Sequence, residues 1–221
     1  MPCRYAQKHG ARIFMLSGPA RRHAKWRADR ALFERWVEGR TGVPLIDANM
    51  REMAATGFMS NRGRQNVASY LALSLGVDWR LGAEYFESAL LGYDPASNWG
   101  NWAAAAGVTG GRVNKFNPTK QSRDYDKDGD YVRAWLPELK DVPAPFCHEP
   151  WRLTPQQQQE FGCVIGVDYP KPAGEVPVWS GESGGGRGGG RGGRGKGRGG
   201  RGGGRGAGGR RQKKIVYQYD D

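Results

Sequence analysis

Between residues 28 and 38 the apolar side chains Leu32, Phe33, Trp36 and Val37 recur at the spacing of one helix face. Gly39 and Gly42 close that stripe, and Pro44 falls where the first turn of a helix accepts proline. The pattern predicts a second helix over 44–56, ending at Gly57 as a left-handed cap. It resumes over 61–75, with Val67, Tyr70, Leu71 and Ser74 on one side and Gly76 at the end. Further helices are expected at 80–91, at 94–106 (closed by Gly107) and, more briefly, at 131–136 ahead of Pro137. No segment before Pro137 alternates convincingly over strand length, so the fold class is all-α.

The pattern changes at Pro137. Eight of the 13 prolines lie between Pro137 and Pro177, with a run of glutamines at Gln156–Gln159, and most of this stretch reads as an irregular wrap over the helical body. Beyond Ser180 the chain becomes Gly/Arg repetition, which buries too little apolar surface to offset its conformational entropy. Three parts follow: a helical domain at 1–141, a Pro-rich irregular extension at 142–180 and a disordered basic tail at 181–221.

Charge sharpens this division. Of the formal +12, the stretch Gly184–Lys214 contributes +11 from eight Arg, three Lys and no acid. The body is therefore close to neutral. No apolar run approaches the ~20 residues of a membrane span, and the N-terminus shows no secretory pattern. Cys3, Cys147 and Cys163 form no spaced pairs, which fits a reducing, intracellular compartment. His9, His23 and His148 share no ligand spacing, so no metal is expected. Asp124, Asp126, Asp128, Gly129 and Asp130 copy the first half of a calcium loop, but Trp135 occupies the twelfth position, where a bidentate Glu is required.

Asp94, Asn98 and Trp102 fall at i, i+4 and i+8 of one predicted helix and form a single stripe. That stripe is either a capping Asp, an exposed Asn and a packed Trp, or a carboxylate, an amide and an indole presented together to a ligand. Asn61, Arg62, Gly63 and Arg64 open another helix. Asn61 and Arg64 share a face, whereas Arg62 projects away from Arg64. Such a turn is either a solvated basic surface or a seat for phosphate or a planar electron-poor ring. Eight tryptophans is a high count, and Trp26, Trp79 and Trp102 lie on three different segments, where core packing is the plain reading.

In combination these signals are specific. The runs Trp36–Gly42, Pro44–Arg51, Asn61–Arg64, Val77–Arg80 and Phe116–Pro118 occur in an order and spacing that closely resemble the C-terminal, FAD-binding helical domain of the photolyase/cryptochrome family. Thr56–Asn66, Asn98–Trp102 and Asp124–Asp126 resemble its cryptochrome-DASH branch. The resemblance implies a blue-light flavoprotein, with FAD as chromophore, acting on damaged single-stranded DNA through lyase chemistry of the photolyase kind. It implies that Asn98 faces the reactive nitrogen of the isoalloxazine. Asp94 would lie near the ribityl chain, Arg64 against the ring and Asn61 at the flavin rim, with Arg62 and Gln65 facing nucleic acid. Trp102, Trp79 and Trp26 would relay electrons from the surface to the flavin, an indole being among the easier side chains to oxidise.

Three departures accompany the resemblance. Gly92 replaces an acid that pairs with the arginine at Arg64. Ala104 replaces an aromatic that stacks on a pyrimidine dimer. The family's antenna domain and its Ser/Thr-rich diphosphate-holding segment have no counterpart in this chain, so FAD binding by it is expected to be weak or absent.

In the tail, Arg187, Arg191, Arg198 and Arg201 begin RGG repeats, with looser relatives at Arg194 and Arg205. Flexible glycines let guanidinium groups reach phosphates and unpaired bases of DNA or RNA. The alternative to a flavoprotein is accordingly an RNA- or single-stranded-DNA-binding protein that works through its tail, with a degenerate, cofactor-poor body.

Overall fold

A computed structural model describes residues 8–18, 20 and 26–176 of the protein. The chain divides into two units, Met1–Gly181 and Glu182–Asp221, and every described residue belongs to the first. The Gly/Arg tail and its arginines lie outside the described residues.

Helix α1 (Arg30–Val37) opens on Asp29, whose carboxylate accepts from the Leu32 amide at 3.0 Å. Helix α2 (Pro44–Thr56) begins with the expected proline and ends at Gly57, φ 69°. Helix α3 (Asn61–Ser69) is capped by the Ser60 side chain and runs on as a π-helical turn, Tyr70–Leu75, up to Gly76. Helices α4 (Trp79–Ala89) and α5 (Pro95–Ala105) follow, capped by Asp78 and Asp94. Helix α6 (Pro118–Tyr125), absent from the sequence expectation, is capped by Asn117, and α7 (Asp130–Trp135) matches the short helix expected before Pro137. Short helices α8 (Ala144–Cys147) and α9 (Pro155–Glu160) punctuate the proline-rich stretch. Among the described residues extended pairing is limited to isolated bridges, Arg27 with Val77 and Ile165 with Tyr169. None of their helices is long and apolar enough to cross a membrane.

Helix α2 is buried on two sides, and that organises the molecule. Ile46, Met50 and Met53 join a large apolar cluster with Trp36, Leu71, Trp79, Phe86 and Trp102. Ala48 faces a second cluster built from Val132, Leu136, Leu139, Cys147, Cys163 and Tyr169. Asp47, also fully buried, accepts from Thr41 N (2.7 Å), Thr41 Oγ1 (2.6 Å), Gly42 N (2.9 Å) and the Tyr169 hydroxyl (2.5 Å). Those donors compensate a carboxylate that would otherwise be costly in an apolar interior. Arg51 forks onto Glu138 at 2.7 and 3.0 Å and ties α2 to the turn after α7.

The acidic turn serves as a helix start. Asp126 accepts from the Tyr131 and Val132 amides at 3.0 Å, and Asp124 pairs with Lys120 at 2.6 Å. Among the described residues no group of three His, Cys, Asp or Glu is arranged to hold a metal. Cys147 and His148 are buried, and burial pushes the Cys147 thiol up to about 11 and lowers the His148 imidazole. His148 Nδ1 meets Ser122 Oγ at 2.7 Å, joining the proline-rich stretch to α6.

Candidate functional site

Trp79, Asn98 and Trp102 lie on two helices, α4 and α5, that pack against each other. The indole of Trp102 lies over Gly82, so closely that a Cβ at that position would overlap its ring. Around it stand Phe86 (ring centroids 5.1 Å, edge-on) and Trp36 (5.9 Å, edge-on), and Trp36 anchors itself by donating Nε1–H to Val67 O at 3.1 Å. Trp79, also fully buried, packs edge-on against Trp99 at 5.8 Å and donates to Leu16 O at 3.2 Å. Trp26 is half-buried, at the segment where Arg27 bridges to Val77 immediately before α4. The three relay candidates therefore occupy neighbouring elements, one buried under α5, one at the start of α4 and one toward the surface. Among the described residues none of the three stacks on another; the ring contacts of Trp102 are with Trp36 and Phe86, and that of Trp79 is with Trp99.

Asn98, one helical turn before Trp102, is half-buried. Its Nδ2 donates to Ala83 O of α4 at 2.9 Å, which fixes the amide and leaves Oδ1 as the uncommitted acceptor. Asp94 is exposed and caps α5, accepting from the Ser97 amide at 2.7 Å; hydrogen bonding from the Ser97 side chain, and then from that amide, lowers its pKa. The stripe is thus a cap, an inter-helix amide and a packed indole.

At α3 the two arginines part company, as 100° per residue requires. Arg64 is half-buried; Nε donates to Met59 O at 3.0 Å, and no carboxylate among the described residues pairs with it. Desolvation lowers its pKa. Gly92 is exposed with open space where a side chain would project. Ala104 is exposed as well, and Asn61 lies exposed at the start of α3. Arg62 is exposed, donates to Gln65 Oε1 at 3.2 Å and sits 5.5 Å over the Tyr125 ring. It borders a cavity of about 350 Å³ between α2, α3 and α6, with Glu52, Phe58, Asn66, Gln121, Tyr125 and Tyr131 among its walls. None of those wall residues stands out as a candidate on sequence grounds. Their one local signal is the pair of exposed aromatics, Phe58 at 57% and Tyr125 at 66%.

For an isoalloxazine ring the fit rests on two groups that the protein leaves incompletely used. These are the Asn98 carbonyl oxygen, beside an anchored amide nitrogen, and the Arg64 guanidinium, half-buried without a counter-charge. Asp94 and Asn61 are available at the exposed ends of the same helices.

Residues 6–177 match the family model described as the FAD-binding domain of DNA photolyase. The chain is 57% identical over 166 residues to the cryptochrome DASH, chloroplastic/mitochondrial, of Ostreococcus tauri, covering 75% of this chain and 30% of that protein. Among solved structures, the Synechocystis cryptochrome superposes with a TM-score of 0.75 at 51% identity, covering 77% of this chain and 36% of that one. The archaeal photolyase from Sulfolobus tokodaii, solved with two FAD molecules, gives 0.63 at 36% identity, over 75% of this chain and 37% of that one. The chain spans about a third of the length of the relatives it matches.

Proposed function

This chain belongs to the family of the FAD-binding domain of DNA photolyase, and from that premise we propose that it forms the flavin-contacting helical portion of a cryptochrome-DASH-like, blue-light flavoprotein acting on single-stranded nucleic acid. The observation that carries the reading is the pairing of Asn98 and Trp102 on one face of α5, the amide tied to Ala83 O and the indole buried one turn further on. A bound flavin supplies a ring that absorbs blue light and takes up single electrons. The chain's own part is to position and to feed. Asn98 Oδ1, left open by the anchored amide nitrogen, would be the acceptor for an N–H at the ring edge whenever the ring carries a proton there. Arg64 offers unengaged N–H groups and a positive charge, which favours electron density arriving near it. The indoles of Trp102, Trp79 and Trp26 are the oxidisable groups, and Trp26, the least buried of the three, suits the outer end of the relay.

The test is Trp79→Phe in chain loaded with FAD. Blue light with an external reductant is expected to bleach the oxidised-flavin absorbance of the parent. The variant should retain flavin and lose most of that response. Equal photoreduction in both would remove Trp79 from the relay.

The +11 of Gly184–Lys214 favours a nucleic-acid role for the tail. Contacts to phosphates make affinity fall steeply with salt. Deleting 184–214 should lower both the affinity for single-stranded DNA or RNA and its salt slope. If both survive the deletion, the tail takes no part.

A further inference from the structure

The cavity between α2, α3 and α6 lies apart from the flavin-facing residues. On α3, Arg62, Gly63 and Asn66 form the arc that lines it, whereas Asn61, Arg64 and Gln65 occupy the opposite arc at 100° per residue. Its volume of about 350 Å³ is in the range of small-molecule sites. Leu45, Phe58, Tyr125 and Tyr131 give it apolar and aromatic walls suited to a flat ring.

Arg62 brings a cation to the rim of those walls, and three of their side chains, Glu52, Asn66 and Gln121, present oxygens that are incompletely used. Glu52 is half-buried, makes no ion pair with any described residue and accepts one hydrogen bond, from the Tyr131 hydroxyl to Oε2 at 2.6 Å. Burial, and then the carboxylate itself, holds Tyr131 protonated as that donor. Oε1 is uncommitted, and Oε2 keeps a second lone pair. In the same walls, Asn66 is 2% exposed with an amide oxygen to which no described group donates, and the half-buried Gln121 has a buried Oε1 that likewise lacks a donor. A buried acceptor without a donor costs about 1–3 kcal/mol. A ligand presenting adjacent N–H groups would relieve that cost once the amide ends turn toward it.

We propose that this cavity is a guanine-selective nucleobase subsite. Among the common bases only guanine places a ring N–H and an amino group side by side, matching the two oxygens of one carboxylate. Thymine offers a single N–H between two carbonyl oxygens, which the acceptor-lined wall repels. Adenine and cytosine carry an amino group next to a ring acceptor. Arg62, exposed and stacked on Tyr125, stands at the rim for the phosphate attached to the base. The ligand is either a free guanine nucleotide or a guanine of a single strand. The second source rests on the nucleic-acid reading above; the base chemistry does not.

The experiment is equilibrium binding to the full chain at constant salt. Its probes are GMP, TMP, an all-thymine oligonucleotide and the same oligonucleotide with one central guanine. The expectation is a preference of about tenfold or more for the guanine probe, and its loss in Glu52→Gln, which turns an acceptor pair into a mixed amide. Phe58→Ala, at an exposed position, should weaken every base and keep the ratio. A preference shown by GMP over TMP identifies the free nucleotide as sufficient; one confined to the oligonucleotides identifies the strand. Equal binding of guanine and thymine in both formats overturns the proposal, as does a preference that persists in Glu52→Gln. FAD titration of Glu52→Gln runs in parallel. Flavin binding that fails in parent and variant alike condemns the flavin reading and leaves the guanine result standing on its own.

Discussion

Gly82→Ala sets two known effects against each other at the centre of the molecule. In an open helix the exchange stabilises by about 1 kcal/mol, because alanine is the better helix former. At this position the added methyl would overlap the six-membered ring of Trp102 and lie 2.7 Å from Leu71 Cδ2. Trp102 is 2% exposed and held edge-on by Phe86 and Trp36, while Leu71 is fully buried, so neither neighbour has room to retreat. Overpacking of this kind costs about 1–3 kcal/mol, occasionally more. At the upper end of that range, where a rigid indole belongs, the balance is a loss of about 1–2 kcal/mol, or roughly 2–8 °C in Tm for a chain of this size. Urea unfolding followed by circular dichroism measures it, and Gly92→Ala supplies the control, being exposed with nothing within 4 Å of the new methyl. A Gly82→Ala protein more stable than the parent would show that α4 and α5 are not packed as described.

Three further expectations follow. The Glu138 carboxylate, which burial pushes up, is carried below its usual range by the Arg51 fork, so the stability it contributes is present above about pH 4.3 and fades as the pH falls through its lower folded value; Glu138→Gln should cost about 1–3 kcal/mol at neutral pH and flatten the acid limb of a pH–stability profile. Asp47→Asn replaces one of two fully used carboxylate oxygens by an NH₂ facing Gly42 N–H and the Tyr169 hydroxyl, and should cost about 2–4 kcal/mol in the same unfolding assay. Gly92→Asp puts a carboxylate where the family carries one for Arg64, and should tighten FAD about two- to fivefold; unchanged affinity in a fluorescence titration would mean that the two positions do not communicate.

What the sequence could show depended on how local each feature is. Helices α2, α4 and α5 are legible because Ile46, Met50 and Met53, or Ala83 and Phe86, repeat at helical spacing and a glycine, a proline or an aspartate marks an end. Helix α6 is not, because what it buries is Pro118, Thr119 and Ser122 rather than an apolar stripe. The Asn117-Pro118 start was its one sign. At Tyr70 the helix widens to a π-turn while its side chains continue to look like one amphipathic face. In the proline-rich stretch, read as irregular, α9 was missed, although Thr154 and Gln157, which form a reciprocal capping box, carry the start signal of a helix. The divergence of Arg62 from Arg64 was legible from helix geometry alone. The spacing of Asp94, Asn98 and Trp102 left two readings open, and the structure shows a cap and a cross-helix amide without removing Asn98 Oδ1 from use. The Glu52 cavity left no pattern to read. Its walls come from α2, α3, α6 and α7 and from the turns beside them, and meet only on folding.

The central claim is that this helical unit holds a flavin through Asn98 and Arg64. Its most direct measurement is a titration of the full chain with FAD, followed by flavin fluorescence, which a neighbouring indole quenches. The account predicts a saturable, quenched complex, weak in the parent, lost in Asn98→Ala combined with Arg64→Ala, and unaffected by Glu52→Gln. A titration without saturation, or a complex that survives the double substitution unchanged, contradicts it.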